Sequence, residues 1–217
     1  SIDQKITNDF IINNCVDIYV NIIDASNLKR NLYLTIQLLS LGLPCLIVAN
    51  MDDKLNKKLA AIDYEKLSKI LKVPIISISS TKNDKHNTQS LKKFIENHSA
   101  NISDFDHYCT SPALCHSSNN SHAQLDKIVH QVSKQIKLEQ SVNRYHQSLA
   151  YLNTDGIILQ LLETNSNTYN NLGLSEKQAE LLNKAKQEIH TIYEEDVDII
   201  IADLLYNQIN QIYEQAI

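Results

Sequence analysis

The stretch VDIYVNIIDASNLKRNLYLTIQLLSLGLPCLIVANMDD, residues 16–53, decides the fold. Its first and last thirds, VDIYVNIIDA (16–25) and PCLIVAN (44–50), are β-branched and almost continuously apolar. That pattern predicts strands covered on both faces, as in a parallel sheet. Between them Leu28, Leu32, Leu34, Ile36, Leu38 and Leu39 recur at mixed helical spacing, and Gly42 stands where a helix would terminate. Strand, helix, strand in that order predicts parallel strands joined by a crossover.

The pattern continues on the C-terminal side. Residues 52–72 supply the next helical crossover, with Asp63 as N-cap before Leu67, Ile70 and Leu71. VPIISISS (73–80) is a third apolar run, and TQSLKKFIENH (88–98) a further helix led by Thr88. Beyond the polar residues 99–122 strand signals largely cease. Residues 122–137 place Leu125, Ile128, Val129, Val132 and Ile136 on one helix face, and 142–153 and 154–163 keep helical spacing. Residues 174–194 open with Ser175 as N-cap and acidic side chains after it. The last helix, 196–217, carries Ile199, Ile200, Leu204, Tyr206, Ile209 and Ile212. The expected organisation is an α/β part over 1–100, a linker over 101–121 and an all-α part over 122–217.

With 217 residues the chain can bury two compact cores. A composition 43% hydrophobic and 21% charged is ordinary for a globular protein, and a net charge of -5, with Arg30 and Arg144 as the only arginines, argues against a nucleic-acid surface. No apolar run approaches the roughly 18 residues of a membrane helix, and the first residues lack the order of a signal peptide, so the expected setting is cytosolic. Cys15, Cys45, Cys109 and Cys115 show no CxxC spacing and read as free thiols. His107, Cys109, Cys115, His116 and His122 are metal-competent types, but their spacing matches no zinc pattern and the Ser, Asn and Pro between them read as linker. The lysines of 54–58 and 65–69 read as solvated helix faces, and the tyrosines at 193, 206 and 213 as packing on the terminal helix.

In an open parallel sheet, ligands sit beyond the carboxyl ends of the strands. The second run ends in Asn50, Met51, Asp52 and Asp53. An N-x-x-D spacing suits a guanine edge, because the carboxylate can accept from both the ring N–H and the exocyclic amine. Adenine offers no such donor pair and would leave the carboxylate desolvated. The competing reading of Asn50 and Asp53 is a helix cap or turn. A second feature adds weight to the first: the third run ends in Ser79, Ser80, Thr81 and Lys82, a small-residue loop able to offer a backbone N–H to the guanine carbonyl.

The run Asp24, Ala25, Asn27, Leu28, Arg30, Asn31, Leu32, Tyr33, Leu34, followed by Asn50, Met51 and Asp53, closely resembles the cytoplasmic G domain of the FeoB family of bacterial ferrous iron transporters. Ala202, Asp203 and Tyr206 resemble the last helix of that family's helical domain. The resemblance implies a partial P-loop GTPase-like sheet with flanking helices, followed by a helical domain. It implies that Asn50 and Asp53 bind guanine, that Met51 lines the base pocket, and that Ser79, Ser80 and Thr81 form the second base-contacting loop. GTP or GDP would be the ligand, with Mg²⁺ in the complete G domain. The glycine-rich loop, the switch Thr and the Asp-x-x-Gly segment of such a domain do not occur in these residues; in the family they precede the Asp-Ala-x-Asn-Leu run. No residue is therefore assigned a catalytic role. The implied setting is the cytoplasmic face of the inner membrane, with a membrane domain as intramolecular partner and an open sheet edge that leaves room for a homo-oligomer. The alternative from another class is an interaction module without nucleotide function.

Overall fold

A computed structural model describes residues 18–42, 44–50, 62–78, 85–99, 123–136, 153–163 and 174–217. Two compact units are distinguished: residues 17–111 with 208–217, and residues 1–16 with 112–207.

The first unit holds a parallel sheet in the order β1 (Tyr19–Asp24), β2 (Cys45–Asn50), β3 (Ile75–Ser77). β1 aligns with β2 from Tyr19 opposite Cys45 to Asp24 opposite Asn50, and β2 with β3 from Ile47 opposite Ile75 to Ala49 opposite Ser77. The parallel arrangement is the one expected from uninterrupted apolar runs. Coverage is uneven, however. Cys45 to Ala49 are all buried in the central strand, whereas Ile22 of β1 is 65% exposed. Among the described residues β1 lies at the edge of the sheet, so its apolar run does not translate into burial on both faces.

After β1 a single 3₁₀ turn, Ala25–Asn27, leads into α1 (Leu28–Ser40). Leu28, Leu32 and Ile36 bury the inner stripe of α1. Gly42 has φ 78° and its N–H donates to the Leu39 carbonyl at 3.0 Å, the positive-φ stop expected there. α2 (Tyr64–Leu71) starts at Asp63, whose Oδ1 accepts from the Lys66 N–H at 2.9 Å. Residues 52–61 of the expected crossover lie outside the described residues. Leu67 and Leu71 are buried, while Glu65 and Lys69 pair at 2.7 Å on the solvated face. α3 (Lys85–Ser99) starts earlier than the expected Thr88.

Among the described residues the second unit is helical. α4 (Ala123–Gln135) and the following Ile136 bury the five apolar residues expected on one face. α5 (Thr154–Glu163) buries Ile157, Ile158, Leu161 and Leu162. The helical spacing expected over 142–152 falls outside the described residues. α6 (Glu176–Tyr193) begins with a complete capping box, in which Ser175 Oγ accepts from the Gln178 N–H and Gln178 Oε1 accepts from the Ser175 N–H. Tyr193 closes α6, rather than belonging to the terminal helix, and its hydroxyl accepts from the Leu125 N–H at 3.2 Å.

α7 (Val197–Ala216) contributes residues 197–207 to the helical unit and 208–216 to the α/β unit. Ile200, Leu204, Ile209 and Ile212 are buried as expected, but Ile199 and Tyr206 are 48% and 56% exposed. Those two fall off the stripe that steps by four residues through 200 and 204. Among the described residues no helix is long and apolar enough to cross a membrane.

Candidate functional site

Of the sequence-predicted site residues, Asn50 is the one among the described residues, and it stands at the carboxyl end of a parallel strand. Asn50 is the last residue of β2, directly opposite Asp24, the last residue of β1. It is half-buried at the end of a strand whose five preceding residues are fully covered, so the strand end is held by the core while its final side chain meets the rim. β3 continues past its last ladder residue through Ile78, whose N–H donates to the Ala49 carbonyl at 2.8 Å. The backbone just before Ser79 is therefore fixed beside the backbone just before Asn50. The two strand ends that carry the candidate residues are neighbours in one sheet. Met51, Asp53, Ser79, Ser80 and Thr81 themselves lie outside the described residues.

Asp24, opposite Asn50, opens a turn that is held by its own side chains. Asp24 Oδ1 accepts from the Ser26 N–H at 2.9 Å and from the Ser26 hydroxyl at 2.6 Å. Asn31 Nδ2 donates to the Asn27 carbonyl at 3.0 Å and lies 3.5 Å from the Asp24 carbonyl, a much weaker contact. Thr35, fully buried, donates its hydroxyl to the Asn31 carbonyl at 2.8 Å and accepts from Asn21 Nδ2 at 2.9 Å. This polar chain was not anticipated from sequence. Its signal is the recurrence of Asn27, Asn31 and Thr35 at intervals of four through the turn and the start of α1.

Lys29, in the first turn of α1, donates to Asn210 Oδ1 at 2.8 Å and sits 4.6 Å from the Tyr213 ring centroid. Asp63 donates its backbone N–H to the Ala216 carbonyl at 2.8 Å. The end of α7 is thus anchored within the α/β unit at the starts of both α1 and α2. Arg30, next to Lys29 in the family-like run, is exposed on α1. In the helical unit, burial lowers the Lys186 ammonium below the usual lysine range, and the Asp198 carboxylate offsets part of that fall.

Two family models match the chain. The one described as "Ferrous iron transport protein B" matches residues 1–95, and the one described as "FeoB cytosolic helical domain" matches residues 122–217. The "Fe(2+) transporter FeoB" of Salmonella typhimurium is 42% identical over 101 residues, and that of Escherichia coli K12 is 41% identical over 101 residues. Each alignment covers 46% of this chain and only 13% of the relative. Among solved structures, mGMPPNP-bound NFeoB from S. thermophilus is similar over 100% of this chain and 73% of that one, with TM-score 0.70 and 25% identity. NFeoB from the same source bound to GDP, AlF4- and K+ is similar over 98% of this chain and 74% of that one, with TM-score 0.72 and 26% identity.

Proposed function

The chain belongs to the FeoB family of ferrous iron transport proteins, comprising G-domain and helical-domain sequence, and from that premise we propose that its α/β unit binds guanine nucleotide. The observation that carries this reading is Asn50 at the carboxyl end of the central strand, opposite Asp24 and beside the strand that leads to Ser79. On this reading Asp53 accepts from the guanine ring N–H and exocyclic amine. Asn50 holds the base edge and ties the neighbouring loop, Met51 lines the base pocket, and Ser79, Ser80 and Thr81 supply the second base-contacting loop. The half-buried setting of Asn50 fits a base that must leave water to be discriminated.

The bound nucleotide would supply phosphates, and Mg²⁺ in the complete domain, for the phosphoryl chemistry of the family. The 217 residues contain no Gly-x-x-x-x-Gly-Lys-Ser/Thr loop, so none of them is assigned to phosphate, Mg²⁺ or hydrolysis. Base contacts alone imply weak binding with a guanine preference. For the whole protein, the reading extends to a cytosolic part of a bacterial inner-membrane Fe²⁺ transporter, in which GTP binding and hydrolysis gate or drive uptake through a membrane domain.

The test is a titration of the 217-residue chain with fluorescent GDP and ADP analogues, repeated on Asp53→Asn. Guanine preference in the parent chain and its loss in the variant are the expected results, with a fall on the order of tenfold or more for the carboxylate's paired hydrogen bonds. Equal affinity for the two bases would favour the interaction-module reading instead.

A further inference from the structure

A side-chain hydrogen bond joins β1 to α1, and two more continue it along the helix to the turn before it. Asn21 of β1 donates to Thr35, Thr35 donates to the Asn31 carbonyl, and the Asn31 amide donates to the Asn27 carbonyl. Asn27 ends the 3₁₀ turn, and Asn31 and Thr35 follow it at intervals of four, on one face of α1. The chain therefore runs from the middle of β1 up to the turn that follows its last residue.

A fully buried hydroxyl adds little net stability, because its hydrogen bonds in the fold replace those it made to water. What it adds is position. Apolar surfaces tolerate a slide along the helix axis, whereas the Asn21–Thr35 hydrogen bond of 2.9 Å, which runs from β1 to α1, loses most of its strength when moved or tilted. A slide of α1 would carry Asn27 and the Asp24–Ser26 turn with it, and Asp24 is the residue opposite Asn50.

From this geometry we infer that Thr35 and Asn31 are positioning residues for the base-binding end of the sheet: Thr35, through Asn21, locks α1 to β1, and Asn31 ties the Asn27 carbonyl to α1, so that together they fix the turn that follows Asp24, the residue opposite Asn50. The inference rests on the guanine reading of Asn50. It adds residues that touch no nucleotide but set its selectivity.

The experiment compares Thr35→Val, which keeps the shape and removes both hydroxyl bonds, with Asn31→Leu and with Thr35→Ser, which restores the hydroxyl. Each 217-residue variant is titrated with the fluorescent GDP and ADP analogues, its urea midpoint is measured, and amide exchange is followed residue by residue. The guanine-to-adenine affinity ratio should fall about fivefold to tenfold in Thr35→Val and Asn31→Leu, the scale of one lost hydrogen bond, and return in Thr35→Ser. An unchanged ratio alongside a lowered urea midpoint would make the chain merely structural and overturn the inference.

If the parent chain shows no base preference, the guanine reading fails and exchange decides the positioning claim separately. Faster exchange confined to residues 24–31 and Asn50 in Thr35→Val would uphold it. A uniform rise through β1 and β2 would overturn it.

Discussion

Lys186 shows how one side chain can work against the unit that holds it. Its ammonium is disfavoured by burial in α6, and Asp198 on α7 recovers only part of the loss. A lysine whose folded pKa lies below its unfolded value near 10.5 penalises the fold while charged. The penalty is fully present at neutral pH, below the folded pKa. It is relieved as pH rises through the lowered value toward the unfolded one. Lys186→Met should therefore raise the urea midpoint at pH 7 and make stability rise less between pH 7 and 10.5 than in the parent chain. Urea unfolding at those two pH values checks this, and a variant with the parent's full pH dependence would refute it. Nothing in the sequence distinguishes Lys186 from the exposed Lys184 two positions earlier, because burial of that face is set by packing.

Among elements, the starts of α2 and α6 were legible because caps are local chemistry, whereas α3 begins ahead of the expected Thr88. Asp63 and Ser175 both occupy the positions expected of them, each with its side-chain oxygen on an N–H three residues ahead. At Ser175 the box is closed by Gln178, so Ser175→Ala removes an acceptor from the first turn of an 18-residue helix. The expected cost is about 1 kcal/mol in urea unfolding, with the loss concentrated in amide protection of the first turn of α6. Protection unchanged there would show that packing of Leu182, Ala185 and Ile189 alone sets the helix start. Strand edges were less legible. Ile22 and Ile47 are the same residue type in similar runs, yet one is exposed on the edge strand and the other is buried in the centre. Run composition reports that a segment can be buried, and strand order decides whether it is.

In the whole molecule, α7 belongs to both units, and its last turns carry Ile209, Ile212 and Ala216 into the α/β unit as buried residues. Lys29 and Asp63 hold the same turns through Asn210, Tyr213 and the Ala216 carbonyl. Ile212→Ala should cost about 2–4 kcal/mol, and the damage should appear in the sheet: amides of β2 should exchange faster although the substitution lies 162 residues beyond Asn50. Exchange changes confined to residues 123–207 would sink that expectation.

The sequence by itself determined the parallel strands, the helices between them, the helical second part, most caps, and Asn50 at a strand end. Each of these follows from short-range periodicity or from capping chemistry within a few residues. The tertiary structure decided what depends on partners distant in the chain: which strand is an edge, which of the apolar residues of α7 are buried, and which unit its last turns complete. It also disclosed the Asn21–Thr35–Asn31 chain. The spacing of Asn31 and Thr35 is visible in sequence, but what Thr35 bonds to is decided only when the fold brings Asn21 opposite.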